Sequence, residues 1–403
     1  MRLSAVLPGV LLTLLAACGE LTDPGPAPIA LALGAGTFHA CSLTEDGSLR
    51  CWGRNDLGQL ARHPAEESCE LQGLVFGCST SPAPSAQPGP FTTITLGDFH
   101  ACALDTEGAA YCWGSNNVGQ LGADATDDCG SPFRSGTCSP APIRAAAPLR
   151  FDHIDAGPFH TCGIATDGAT YCWGNNSRGQ LGVPRDSGLT RTRPARVQGD
   201  QRFVSLALGT IHSCAIDTQG QAYCWGSNLD GRLGTQVDTL CNFVQCSSVP
   251  VPVDAAVRFS AIAAGDAHTC ALSTDQHAFC WGVNLLGQSG IGSWPHADRP
   301  TEVIGGFRFS HITAGDQHTC AVNTAARVYC WGFDLTDQLG TGIDHFIDVV
   351  DYPFPVDSDL DFVSIAAGVD FTCAATADGE LRCWGADWAG QLGNGPAGDR
   401  PTP

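Results

Sequence analysis

The stretch from His100 to Gly122, HACALDTEGAAYCWGSNNVGQLG, recurs in seven versions along this 403-residue chain. The first cysteines of the copies are Cys41, Cys102, Cys162, Cys214, Cys270, Cys320 and Cys373, offset in turn by 61, 60, 52, 56, 50 and 53 residues. A period of that size marks a repeat architecture, in which each unit buries its apolar face only against its neighbours. Every copy also carries a second cysteine ten residues after the first: Cys51, Cys112, Cys172, Cys224, Cys280, Cys330 and Cys383. A run such as CALDT alternates small or apolar with polar residues, meets a turn signal and resumes as AAYCWG, which is a β-hairpin pattern. In copy one, Glu45-Asp46-Gly47 suits a three-residue connection whose last position takes a positive φ. Counting outward from Asp46 sets Cys41 opposite Cys51, and cross-strand Cα atoms roughly 4.5 to 5.5 Å apart lie within reach of a disulfide.

After the second cysteine each copy continues Trp-Gly, a polar turn and usually Gly-Gln-Leu-Gly, as at Trp173-Gly174 and Gly179-Gln180-Leu181-Gly182. The tryptophan reads as a core anchor. An apolar-alternating run before each histidine, FSAIAAG from Phe259 to Gly265, supplies a third strand. The Pro-x-x-Val element at Pro194 to Val197 and Pro300 to Val303 is expected to precede it as a fourth, outer-edge strand, where proline is tolerated. Four strands per repeat of this length describe a blade, so the expected fold is all-β: a seven-bladed β-propeller of four-stranded blades.

The pattern resembles the regulator-of-chromosome-condensation repeat. The residues that carry the likeness are Gly157 and His160, the turn Asp167-Gly168, and Trp173-Gly174 through Gly182, repeated with variations over roughly residues 30 to 403. The resemblance implies the seven-bladed propeller again, but no single activity, since one fold hosts unrelated functions. Members of the family exchange nucleotide on a nuclear GTPase, and a secreted bacterial propeller of this kind inhibits β-lactamases. The paired cysteines depart from the nuclear members and point outside the cytosol.

Residues 1–17 combine an arginine, a short apolar run and small residues, and read as an export signal. Leu15-Ala16-Ala17-Cys18 resembles a bacterial lipobox, which implies lipid attachment at Cys18; a plain secretory signal is the competing reading. Gly19 after that cysteine, by resemblance to lipoproteins of diderm bacteria, implies the outer membrane. Residues 18–28 are then a lipidated tether and 29–403 the propeller.

Cysteine usage supports an oxidising compartment. Of 21 cysteines, fourteen belong to the hairpins and Cys18 to the lipobox; the remaining six fall into the close pairs Cys69 with Cys78, Cys129 with Cys138, and Cys241 with Cys246. A zinc reading is disfavoured, because zinc sites show tighter cysteine spacing. The formal charge of -21, with every basic residue an arginine, argues against nucleic acid as partner. No cofactor or metal site is predicted, and a monomer is expected, held to the membrane through the lipid alone.

A ring of histidines, His39, His100, His160, His212, His268 and His318, stands before the first cysteines, with Phe371 in the seventh copy. A central ligand ring is one reading; a hydrogen-bonding role once per repeat is favoured, because copy seven dispenses with the imidazole. Function is expected where copies differ, in the stretches after the Gly-Gln-Leu-Gly element, residues 61–90, 123–148, 183–200, 235–256, 291–299 and 341–352, all on one face. Trp294, His296, Phe346 and Tyr352, with Asp344, Asp348 and Asp351, are the candidate contacts for an envelope or extracellular protein or glycan. No catalytic signature such as G-x-S-x-G or H-E-x-x-H is present, so the leading function is a binding scaffold; an extracytoplasmic propeller lyase or hydrolase with scattered site residues is the alternative. Finally, Asp399 to Pro403 resembles the start of an outer strand that has no clear equivalent in the sequence before copy one, which predicts ring closure by the C-terminus in blade one.

Overall fold

A computed structural model describes residues 30–62, 67–86, 88–125, 127–133, 136–184, 188–292, 295–342, 348–395 and 403. Seven antiparallel sheets follow one another along the chain, one per repeat. Blade 3 shows the plan: strands Phe151–Ala156, His160–Ala165, Thr170–Asn175 and Thr190–Arg196 pair in that order from the axis outward. Cys162 lies directly opposite Cys172, as the turn count requires. All seven hairpin disulfides form at this register, with Cα atoms 4.0 to 4.1 Å apart.

The blades are therefore four-stranded propeller blades, but two details of the predicted layout are corrected. The Pro194–Val197 element closes the blade before it, since Arg196 and Ala195 pair with Tyr171 and Cys172 of the preceding hairpin. Both placements leave proline at an edge, so composition alone could not separate them. Blade one consequently has its own outer strand, Leu74–Pro84, paired with Arg50–Arg54. The predicted closure of blade one by the C-terminus is thereby overturned: Pro403 lies against Gly340 and Trp384 instead. Among the described residues, blade 7 has three strands.

Blades 1, 2 and 4 carry an added fifth strand, Glu67–Leu71, Asp127–Asp128 and Leu240–Cys241, folded back on the outer strand. These are the three segments with an extra cysteine pair. Cys69–Cys78, Cys129–Cys138 and Cys241–Cys246 are each joined, with Cα separations of 5.8, 6.2 and 5.7 Å.

The core is a set of thin layers between blades. Between blades 2 and 3, Leu104, Leu121 and the Cys102–Cys112 bridge meet Phe151, Ile154 and Trp173. Trp173 is fully buried, with its ring centroid 5.9 Å from that of Phe151. Near the axis the chains crowd: a Cβ on Gly265 would stand 2.3 Å from the Gly315 carbonyl and 2.4 Å from the His268 ring. Only glycine fits there. After each tryptophan the backbone turns with positive φ, +104° at Gly174, for the same residue.

A repeated polar clasp joins neighbouring blades. The Gln120 carbonyl of blade 2 accepts both the Trp173 indole N–H at 2.9 Å and the Thr161 hydroxyl at 2.9 Å from blade 3. His100 Nε2 lies 2.9 Å from the same hydroxyl. Because that hydroxyl spends its proton on the carbonyl, its oxygen accepts from the imidazole, which must carry hydrogen on Nε2. The histidine–hydroxyl contact repeats for His160 with Ser213, His212 with Thr269, His268 with Thr319 and His318 with Thr372, at 2.7 to 3.0 Å. Trp52 Nε1 donates to the Gln391 carbonyl at 2.9 Å, so the last blade grips the first by the tryptophan half of the clasp.

Two joints lack the hydroxyl. Opposite His39 stands Ala101, and neither ring nitrogen of His39 has a partner among the described residues. Opposite the seventh blade stands Ala40, and there the histidine is replaced by Phe371. Ala101→Thr should therefore supply a hydroxyl to both His39 Nε2 and the Gln59 carbonyl and raise unfolding free energy by about 1 kcal/mol. Ala40→Thr, facing Phe371, should bring no such gain in denaturant titrations.

Burial holds His39, His100, His160 and His268 down to about 3 and His318 to about 4, with His212 also well below the ordinary value. These imidazoles stay neutral in the fold while the unfolded chain takes up protons below about pH 6.5. Stability is thus fully present above that pH and is lost as pH falls toward the folded values. Asp316, pushed up to about 8 by burial and then by Asp98, Asp266 and Asp370, acts in the opposite sense over pH 8 to 4. Six histidines outweigh it, so the denaturant midpoint should drop steeply between pH 6.5 and 4.5. His39→Phe, which copies the Phe371 and Ala40 pairing, should make that drop shallower.

Candidate protein-binding face

Strand order decides which segments share a face. The connector from the innermost to the second strand, Gly-x-x-His, and the connector from the third to the outer strand leave at the same end of each blade. The Asp-Gly hairpin turns and the links to the next blade lie at the other end. Every variable stretch named above thus begins at the first end, together with the disulfide hairpins.

Three of the predicted contacts, Trp294, Asp344 and Phe346, lie outside the described residues. His296 opens the outer strand His296–Glu302 of blade 5 and is exposed, with Nε2 3.7 Å from Asp298 Oδ1. Tyr352 and Asp351 belong to the outer strand Val349–Pro355 of blade 6, and Asp348 precedes it. Tyr352 is 46% exposed and tilts against Phe354. The Asp348 carbonyl accepts the Asp334 amide at 2.9 Å, and that of Asp351 accepts the Gly292 amide at 3.3 Å. These residues therefore stand along outer edges, where backbone pairing holds them, and not at loop tips.

The most exposed apolar side chains are different ones. Phe243, at the tip of the Cys241–Cys246 hairpin, is 97% exposed, beside Leu240 at 63%. Arg178 of blade 3 steadies this hairpin by donating to the Cys241 carbonyl at 2.8 Å. Within the Trp-Gly loops, Leu229, Leu285, Leu335 and Trp388 are 48%, 72%, 59% and 44% exposed. All four occupy one position, the fourth residue after the tryptophan, in blades 4 to 7. Blades 1 to 3 have Asp56, Asn117 and Ser177 there. The division is legible at that offset inside the repeated motif, and not in the unrepeated stretches.

Blade 1 shows the opposite arrangement. Asp56 is buried in a bidentate pair with Arg54, at 2.5 and 2.6 Å, and accepts the Ser131 hydroxyl from the disulfide loop of blade 2. The Arg54 guanidinium sits 4.2 Å over Phe133 and within 5.4 to 5.9 Å of Phe38, Phe76 and Phe99. Charge, aromatic faces and a disulfide loop together cover this side of the ring.

A channel of about 360 Å³ follows the axis, lined by innermost strands. Inside it Asp155 accepts the Thr95 hydroxyl at 2.9 Å and the Leu208 amide at 3.0 Å, and burial raises its carboxyl while lowering His153 beside it. At the mouth on the variable face, Asp98, Asp266 and Asp316 follow the glycine of Gly-x-x-His connectors, and Asp370 stands one place later in Gly368-Val369-Asp370-Phe371. Among the described residues no three His, Cys, Asp or Glu side chains meet at metal-binding distance. No helix of the described residues is long and apolar enough to cross a membrane.

The profile of the RCC1-like domain matches residues 134–403, and that of the regulator of chromosome condensation (RCC1) repeat matches 31–59 and 91–120. The probable E3 ubiquitin-protein ligase HERC6 of Homo sapiens is 28% identical over 69% of this chain and 26% of its own length. The ultraviolet-B receptor UVR8 of Arabidopsis thaliana is 29% identical over 64% of this chain and 54% of its length. The chain thus spans between a quarter and a little over half of these relatives. Among solved structures, yeast RCC1 (Prp20) bound to Kap60 superposes with a TM-score of 0.74 at 21% identity, covering 97% of this chain and 89% of that one. Human WBSCR16 gives 0.73 at 18% identity, covering 86% of each. Profile, repeat and superposition agree with the blade geometry, and the chain belongs to the RCC1-like domain family.

Proposed function

We propose that this chain is an exported, lipid-anchored propeller that binds a protein or glycan of the cell envelope or its surroundings through the variable face. The observation that carries this reading is the gathering of exposed apolar side chains, Phe243 and the Leu285 series, on the end where the copies differ. A rigid ring with disulfide-pinned hairpins presents them preorganised, which limits the ordering cost of association. Relatives support a protein partner: the solved yeast propeller is described as bound to Kap60, and a second structure of it concerns binding to Gsp1p and histones. Those partners belong to those proteins. The ten disulfides support maturation in an oxidising compartment, and Cys18 is the residue proposed to take the lipid.

Pull-down from the producing organism's envelope with the mature chain is the direct test, and recovery of no protein or glycan above a control propeller would refute the scaffold. Cys18→Ala should abolish acyl labelling; persistent labelling would remove the anchor from the proposal. Alanine at His296 or Tyr352, both exposed, should change the thermal midpoint little and weaken capture of a partner that uses the outer edges. Trp173→Ala, by contrast, should cost about 3 to 5 kcal/mol as a lost buried aromatic, read by denaturant unfolding.

A further inference from the structure

The four exposed side chains Leu229, Leu285, Leu335 and Trp388 form an arc over four consecutive blades, on rigid loops. The backbone of each loop is fixed from within. The Asn228 side-chain oxygen accepts the Leu233 amide at 3.0 Å, and Asp334 and Asp387 do the same for Leu339 and Leu392 at 2.9 and 3.1 Å. Large apolar residues at a position that other blades fill with Asp, Asn or Ser cost solubility and add nothing to the core. Among the described residues the three leucines belong to no buried cluster, and Trp388 has its ring centroid 6.2 Å from that of Phe38. The Phe243 hairpin stands at the opposite end of the arc, tied to it where the Asn228 amide donates to the Gln245 carbonyl at 2.7 Å.

Inside the arc, toward the axis, lie Asp266, Asp316 and Asp370 on the connectors of blades 5, 6 and 7. The resident cation nearby is Arg232, whose Nη1 reaches the Asp266 backbone carbonyl at 3.5 Å and whose Nη2 lies 3.8 Å from Asp230. Among the described residues no arginine or histidine pairs with the Asp316 or Asp370 carboxylate. Mutual repulsion with Asp98, Asp266 and Asp370 adds to burial in holding the Asp316 carboxyl far above its usual range. On the side of Asp316 and Asp370 the mouth thus holds carboxyl groups with no paired cation among the described residues.

We propose that the arc formed by Leu229, Leu285, Leu335 and Trp388 is a docking surface for a protein segment that lays aliphatic or aromatic side chains on it and directs a lysine or arginine into the acidic mouth beside Asp316. Charge complementarity selects this occupant. A second copy of the chain, with a formal charge of -21, would bring its own acidic mouth against this one. Anionic lipid headgroups would meet the same repulsion, and leucine side chains offer a glycan no hydrogen bonds. The proposal rests on the protein-binding reading given above and narrows it to blades 4 to 7.

The test uses random peptides displayed on phage, selected on the oxidised protein. Enriched sequences should combine Leu, Phe or Trp with an arginine or lysine. As synthetic peptides they should lose at least tenfold in affinity on Leu285→Glu or Leu335→Glu and about three- to tenfold on Asp316→Asn. They should also weaken as salt rises. Val363→Glu, on an exposed residue toward the other end of the ring, should leave binding unchanged. The substituted arc residues are solvent-exposed, and an unchanged far-ultraviolet dichroism spectrum with every cysteine still oxidised establishes that the variants are folded. Peptides without a cation, peptides indifferent to both leucine variants, or no enrichment at all would overturn the docking surface. The broader scaffold would survive any of these if envelope pull-down still captured a protein, and would fail with the arc only if that capture failed as well.

Discussion

The glutamine carbonyl in the Gly-Gln-Leu-Gly loop is the contact on which the ring depends. One backbone oxygen receives the indole N–H and the hydroxyl of the next blade, and the hydroxyl in turn receives an imidazole from the blade that owns the carbonyl. Two blades are thereby locked at a fixed angle by groups that are all fully buried. In a low-dielectric layer such a bond is strong when complete and costly when one member is missing. That explains why tryptophan recurs in every copy and histidine in six, and why glycine must stand where the imidazole passes; the acceptor itself is a backbone carbonyl, which Arg232 supplies in blade 4. Alanine at positions 40 and 101 breaks the set in two different ways: the first joint has substituted Phe371 for the imidazole, while the second leaves His39 unsatisfied. Among the described residues one indole, Trp331, also has no acceptor.

Layered cores put a limit on what a propeller can draw from burial. Each sheet packs only on its two neighbours, so no residue is more than one layer from a blade edge, and each blade must be held flat by local means. A disulfide ten residues across a hairpin serves this end. By the chain-entropy argument it contributes about 2 to 3 kcal/mol or less, because the loop it closes is short. Seven of them act in the same place, at directly opposed positions between the second and third strands. The three further bridges lie elsewhere, in the hairpins of the variable face, which also pack on neighbouring blades, as Cys78 does with Ala389 of blade 7.

Much of this was legible before any coordinates. Hairpin register followed from one turn count at Asp46, because a three-residue loop leaves a single pairing for Cys41 and Cys51. Blade number followed from counting cysteines. What was not legible was the phase of the repeat: Pro194 to Val197 lies between two innermost strands, and an edge strand with proline looks the same whether it ends one blade or begins the next. The error passed directly into the predicted closure, which assigned Pro403 to blade one when it lies on the joint of blades 6 and 7. The exposed apolar arc was harder still to read. Tyr352 and His296 drew notice as aromatic or titratable residues outside the motif, yet they sit on paired edges. Leu285 and Leu335 sit inside the motif and look like core, because nothing local distinguishes a leucine that points outward from one, such as Leu339, that is wholly buried.

That difference has a geometric origin. Leu339 follows the glutamine and faces the neighbouring tryptophan layer, whereas Leu335 precedes the turn and rides on its outer surface. A repeat therefore contains positions of two kinds: those whose chemistry is dictated by the clasp, and those it leaves free. The first kind varies little, with Ala40, Ala101, Arg232 and Phe371 as its departures, and the second kind can differ from blade to blade without weakening the ring. In this chain the free position is charged and covered in blade 1, polar in blades 2 and 3, and apolar and open in blades 4 to 7. The ring thus keeps near sevenfold regularity in its joints and loses it on one face, and recognition requires that loss: a surface repeated identically seven times could not hold a partner in one orientation.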